Sequence, residues 1–188
     1  MKSSFTLVSL FTAAALAVPS HTTPQLIDTL FPHYLVPVKS LQPDTPFGTQ
    51  HTGTIIWERG NEEVALIAGF DVPDNGATTC CLNFVLPWTS SNSWIVTGSG
   101  ILNYYGLSRP VDHVHDTWNH RPERFPQYSL GQIEVIRGGN GTVTGSIPCH
   151  LGTRMDFELV AFKPYGYTTV SWYELDIPVT GLTMQMWA

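Results

Sequence analysis

Punctuation constrains this chain more than any other feature. From Tyr34 onward, short runs rich in β-branched and aromatic residues recur roughly every dozen residues, and clusters of Gly, Pro, Asn and Asp cut each one off. The runs are Tyr34–Val38, Thr52–Trp57, Val64–Phe70, Thr79–Leu86, Trp94–Thr97, Ile101–Tyr105, Gln132–Arg137, Thr142–Ile147, Met155–Phe162, Thr169–Glu174 and Leu182–Trp187. Between them stand breaks such as Pro43-Asp44-Thr45-Pro46, Pro73-Asp74-Asn75-Gly76 and Gly138-Gly139-Asn140-Gly141. No window sustains a 3.6-residue apolar period, so the pattern leaves little room for helix. It predicts one all-β domain, a β-sandwich of about ten strands.

Composition agrees and narrows the partners. Charged residues make up 13% of the 188, about half the roughly 25% usual for soluble domains, as expected of half-buried strands. The formal net charge is −6 and no basic run occurs, which argues against a nucleic-acid partner.

The N-terminus reads as an export signal. Lys2 precedes an uncharged apolar run, Phe5–Leu16, and Ala15-Leu16-Ala17 places small residues at a cleavage position. The run is far shorter than the ~20 residues a membrane-spanning helix needs, so no membrane span is expected. Residues 1–17 are therefore expected to be removed, 18–30 to form an extended lead-in, and 31–188 to form the sandwich. An alternative cut after Ser20 would expose His21 as the terminal residue. Export implies an oxidising compartment, in which cysteines pair. Cys80, Leu82, Phe84 and Leu86 alternate onto one strand face, and Ile147, Cys149 and Leu151 alternate similarly. Two core-facing stripes favour a Cys80–Cys149 bridge and leave Cys81 as the spare thiol.

Candidate chemistry concentrates in Ser108–Tyr128, a polar, Pro-bearing segment that interrupts the strand rhythm. Loops this long are usually functional or disordered. His113 and His115 would share a face if the segment were a strand, and His120 follows, making these three the candidate metal ligands, with His21 a possible copper-binding addition. The third ligand is unspecified and no His-Glu-x-x-His or Cys-x-x-Cys spacing occurs, so the expectation is no metal and no cofactor. Two carboxylate pairs at i, i+2, Asp156 with Glu158 and Glu174 with Asp176, have the spacing of an acid beside a nucleophile. Strand alternation already explains both as a polar outer face, and that is the expectation. Trp88, Trp94 and Trp118 lie in or beside polar stretches and are the candidate sugar-stacking platforms, whereas Trp57, Trp172 and Trp187 lie within strands. Asn140-Gly141-Thr142 is an N-glycosylation acceptor at an expected hairpin tip.

Taken in order, Phe31–Val38, Pro43–Thr49, Phe70–Pro73, Thr79–Cys80 running to Leu86–Pro87, Gly98–Gly100 and Ile147–Cys149 resemble the fungal ubiquitin-three-binding-protein (But-two) C-terminal domain. The resemblance implies a compact β-sandwich, widespread in secreted fungal proteins, with no established catalytic activity. It also sets Cys80 and Cys149 on the family's two cysteines. The family name points to a ubiquitin-pathway partner, which an exported chain would not meet. The expectation is a secreted, non-catalytic protein that binds cell-wall polysaccharide or an extracellular protein. The alternative is a carbohydrate-active or copper-dependent enzyme using the histidines or a carboxylate pair.

Overall fold

The computed structural model describes residues 23–88, 94–163 and 166–188; the expected export signal, the two expected cleavage positions and His21 lie outside them. The regular elements are all strands: β1 (Leu26–Leu30), β2 (Tyr34–Lys39), β3 (Thr52–Glu58), β4 (Glu63–Asp71), β5 (Thr79–Leu86), β6 (Trp94–Gly98), β7 (Ile101–Gly106), β8 (Gly131–Glu134), β9 (Gly139–Asn140), β10 (Thr142–Val143), β11 (Ile147–Pro148), β12 (Arg154–Ala161), β13 (Tyr167–Tyr173), β14 (Leu175–Asp176) and β15 (Val179–Trp187). They form two antiparallel sheets, as a β-sandwich-like fold requires. The smaller runs β1–β15–β5–β11, with β14 on β15 and β9 on β5. The larger runs β10–β8–β7–β12–β4–β3–β13–β6, with β2 also paired to β4. Among the described residues no helix is long and apolar enough to cross a membrane.

Alternation builds the interior. Along β5, Cys80, Leu82, Phe84 and Leu86 are buried while Cys81, Asn83 and Val85 are half-buried. Leu182, Met184 and Met186 of β15 join the same core, and the larger sheet supplies Phe70, Tyr104, Phe157 and Trp172. Each such side chain contributes roughly 1.5 to 3 kcal/mol on burial. Trp172 lies edge-on to Phe84 across the two sheets, with ring centroids 4.7 Å apart. It needs Gly53 beneath it, since a Cβ there would stand 2.2 Å from the indole.

Three stretches depart from the reading of the sequence. Thr142–Ile147 is not one strand. Thr142 and Val143 pair with β8 in the larger sheet, whereas Ile147 and Pro148 pair with β5 in the smaller. Between them Gly145 takes φ +89°, where the Leu130 carbonyl and the Tyr104 hydroxyl leave no room for a side chain. The segment therefore crosses between sheets at a glycine that alternation cannot reveal. Asn140, in turn, is exposed but not at a free tip, because its backbone pairs with Val85 of β5. Leu26–Leu30, inside the stretch read as a lead-in, forms the edge strand β1 against β15.

A disulfide joins Cys80 to Cys149, with Cα atoms 5.1 Å apart and 69 residues between them in sequence. It fixes the corner after β11 to the centre of the smaller sheet. On the entropy model a loop of that length is worth about 4 kcal/mol of stability. Cys81 is free and half-buried, and burial pushes its thiol pKa up, away from the reactive thiolate. Urea unfolding should therefore show a loss of about 4 kcal/mol for Cys80→Ala with Cys149→Ala. Cys81→Ala should cost about 1 kcal/mol at most. Equal losses in the two variants would contradict this account.

Candidate functional site

The site begins with strands buried on both faces. In β4, Val64 to Phe70 are buried without interruption, and in β12 so are Phe157 to Ala161. An antiparallel strand normally leaves one face to water, so something must cover the outer side of this sheet. The cover is the polar segment that interrupts the strand rhythm. Val111 inserts among Tyr34, Val36, Val38, Ala65, Ile67 and Val160, and Trp118 packs against the same outer cluster. The base of the segment is pinched shut by a bridge between Leu107 and Arg124. Backbone bonds from Ser108 to Glu123 and from Phe125 to Gly106, each 2.9 Å, reinforce it.

Three carboxylates hold the cover down. Asp116, 4% exposed, accepts hydrogen bonds from both terminal nitrogens of Arg109 (2.7 and 3.2 Å) and from the Asp112 amide (2.8 Å). That pairing holds the Arg109 guanidinium pKa above its usual value. Asp156 of β12 accepts from the Val111 amide (2.8 Å), Arg154 (3.1 Å) and the Tyr34 hydroxyl. Burial, with the Asp156 bond and charge behind it, drives the Tyr34 pKa far above the ordinary phenol range. Glu158, fully buried on the same face, sits between two guanidinium groups, with Arg121 Nε 2.9 Å from Oε1 and Arg124 Nε 2.6 Å from Oε2. Arg121 lies 4.1 Å above the Trp118 ring and Arg124 4.1 Å above the Tyr105 ring. Burial alone would lower the Arg124 pKa, but the Glu158 hydrogen bond and charge outweigh it and hold it raised.

Over this triad opens a cavity of about 520 Å³, lined by Trp118, Asn119, Arg121, Glu123, Arg124 and Gln127 with Glu158 at its floor. Asp156 and Glu158 do share a strand face, but the reading of that face as solvated is corrected: the cover buries it. Neither arginine could be singled out from its local pattern, because each lies more than thirty residues from its partner. The available signal was the unbroken apolar run Val64–Phe70 of β4, which marks a strand covered on both faces beside β12. A glutamate inside a doubly covered strand needs cations, and the polar segment holds the nearest supply.

The candidate histidines are spent on separate partners. Asp112–Asp116 forms turns rather than a strand, which removes the shared face expected of His113 and His115. His113 stacks on Tyr34 with centroids 5.6 Å apart. His115 Nδ1 meets Asp112 at 2.8 Å, and His120 Nδ1 meets the Thr117 hydroxyl at 3.3 Å. Among the described residues no group of three or more His, Cys, Asp or Glu is arranged to hold a metal. Trp118 is no open platform, since the outer cluster and Arg121 occupy it. Trp94 is half-buried and donates to the Pro87 carbonyl at 3.2 Å; Trp88, 67% exposed, stands edge-on to it.

The family model described as "Ubiquitin 3 binding protein But2 C-terminal domain" matches residues 30–178, which contain the larger sheet, the cover and the triad and stop short of β15 in the smaller sheet. The chain belongs to this family. No curated protein matches it. Within this But2 domain the second carboxylate pair is split: Asp176 is exposed, whereas Glu174 reaches inward. Its Oε2 accepts from Trp172 Nε1 (2.6 Å) and from the Leu182 amide (3.2 Å), and Oε1 is buried without a partner. Burial raises its pKa to about 7, and the two hydrogen bonds only partly counteract that.

Two outcomes follow from these contrasting glutamates. Glu158→Gln leaves two half-buried guanidinium groups facing each other without a counter-ion, and should cost about 3 kcal/mol in urea unfolding. It should also speed tryptic cleavage after Arg124 as the cover loosens; a resistant, equally stable variant would contradict the triad's role. For Glu174, the unfolded carboxyl loses its proton near pH 4.5 while the folded one keeps it to about 7. Stability should therefore fall as pH rises through that window, by about 3 kcal/mol at most. Glu174→Gln should flatten the dependence, and an unchanged pH profile in that variant would refute the assignment.

Proposed function

We propose that this But2 domain is an exported, non-catalytic binding module of the cell exterior, seated on wall polysaccharide or an extracellular protein through the cavity over Glu158. One observation carries the reading. The carboxylates that could serve as acid and nucleophile, Asp156 and Glu158, are saturated by Tyr34, Val111, Arg154, Arg121 and Arg124. Neither is left to move a proton at a substrate, whereas Arg121 and Arg124 line the cavity. General acid–base chemistry needs a carboxyl within reach of the reacting bond, and binding needs only fixed donors.

Export is supported by the apolar N-terminal run and by the disulfide, which persists in oxidising compartments. The family description names ubiquitin 3 binding, and a protein partner agrees with it in kind. An oxidising compartment lies away from the ubiquitin pathway, so the partner proposed here is an extracellular one. The Asn140 side chain is exposed and accessible to glycosylation.

Expression in a secreting host tests the reading. Intact mass of the medium fraction should give a chain starting at Val18, one disulfide and no metal, with Asn140 glycan visible as an enzymatically removable increment. The material should be retained on insoluble wall polysaccharide or capture an extracellular protein. Cytosolic retention with both bridge cysteines reduced would remove the proposal.

A further inference from the structure

We infer that the cavity over Glu158 is a cradle for an acidic sugar, a hexuronate unit of a polysaccharide. The assignment rests on the binding-module reading above and names the ligand class for that site. Its basis is how the arginines meet the buried carboxylate. Both approach Glu158 through Nε, side-on, instead of through their terminal fork. A guanidinium carries five N–H donors. Arg124 therefore spends one on Glu158, and among the described residues its four terminal N–H groups have no acceptor. Arg121 gives one more to the Trp118 carbonyl and keeps the rest. The planar edges left over are the geometry that grips a carboxylate with two parallel hydrogen bonds.

Charge and rigidity favour the same ligand. Two cations share one buried anion at the floor, and Glu123 in the lining brings the formal charge of the cavity to zero, so the attraction for an anion is local to the spare guanidinium edges. The arginines are already ordered, by Glu158 on one side and by the Trp118 and Tyr105 rings beneath them. Little side-chain entropy remains to be lost on binding. The rim supplies what a sugar's hydroxyls require. Gln127 presents an exposed amide, Glu123 an exposed carboxylate outside the triad, and Asn119, whose amide nitrogen donates to Asp44 at 2.9 Å, keeps its carbonyl oxygen. Glu123 also disfavours a dense polyanion, because its like charge sits at the mouth. One carboxylate flanked by hydroxyls fits better than a phosphate or sulfate cluster. A peptide carboxy-terminus would bring an apolar side chain to a lining that offers it little beyond the edges of Trp118 and Pro122.

Calorimetric titration of the wild-type protein with tri-galacturonate, a neutral trisaccharide and inorganic sulfate decides the matter. Tri-galacturonate should bind, more weakly as salt rises, and the other two should not. Arg124→Lys keeps a cation for Glu158 but removes the spare fork, and should weaken binding about tenfold or more. A second measurement needs no variant: tri-galacturonate should protect Arg121 and Arg124 from phenylglyoxal, as mapped by peptide mass. Equal binding of the neutral trisaccharide, sulfate binding alone, or labelling that tri-galacturonate leaves unchanged would each overturn the cradle. Retention on neutral wall polysaccharide alongside any of these results leaves the binding-module reading standing. No binding to any wall fraction or protein removes both.

Discussion

A glutamate in the middle of a buried strand is the constraint around which the outer half of this domain is organised. Glu158 lies on β12, flanked by Phe157 and Leu159 that face the sandwich core. An unpaired carboxylate there would be prohibitively costly, so the fold must bring cations to it. Arg121 and Arg124 come from a segment with no regular structure of its own, and the ion pair is what gives that segment an address. Once it is seated, Val111 and Trp118 complete an apolar layer over β2, β4 and β12. The order of dependence runs from the charge to the cover and from the cover to the cavity.

The inner half obeys a different constraint. The chain passes between its two sheets more than once, and the passage from β10 to β11 turns at Gly145. A corner of this kind is held only by short pieces of strand, β10 and β11, which are too brief to fix themselves. The Cys80–Cys149 bridge lies directly after that corner and anchors it to β5. The covalent link thus stands beside a strand pairing only two residues long.

The inner half was also the more legible in sequence. Period-two alternation marks Thr79–Leu86 without ambiguity, and that local pattern alone places Cys80 inward and Cys81 outward. Turn chemistry marks the strand ends because Gly, Pro and Asn act through local backbone preferences. The outer site escaped for the converse reason. Arg121, Arg124 and Glu158 are ordinary charged residues whose meaning lies in a meeting between two distant stretches of chain. The histidines drew attention by density alone, yet in a turn their i, i+2 spacing carries no facial information, and each found a neighbour of its own. The same limit hid the crossing at Gly145, since alternation read through Thr142–Ile147 continues smoothly across it.

Glu158 and Glu174 show how the same side chain, buried twice in one domain, can be stabilised in opposite ways. Glu158 is met by two cations, each stacked on an aromatic ring of its own, an arrangement whose strength is Coulombic and which locks a surface layer in place. Glu174 is met only by neutral donors, the Trp172 indole and the Leu182 amide, with one oxygen left unpaired. Neutral donors can soften the desolvation of a carboxylate but not cancel it, which is why its proton is held to about pH 7. The first glutamate therefore builds a surface layer. The second ties the β13 to β15 connection, beside the central Trp172, to ambient acidity. The core around Trp172 should therefore tighten as the medium acidifies through about pH 7.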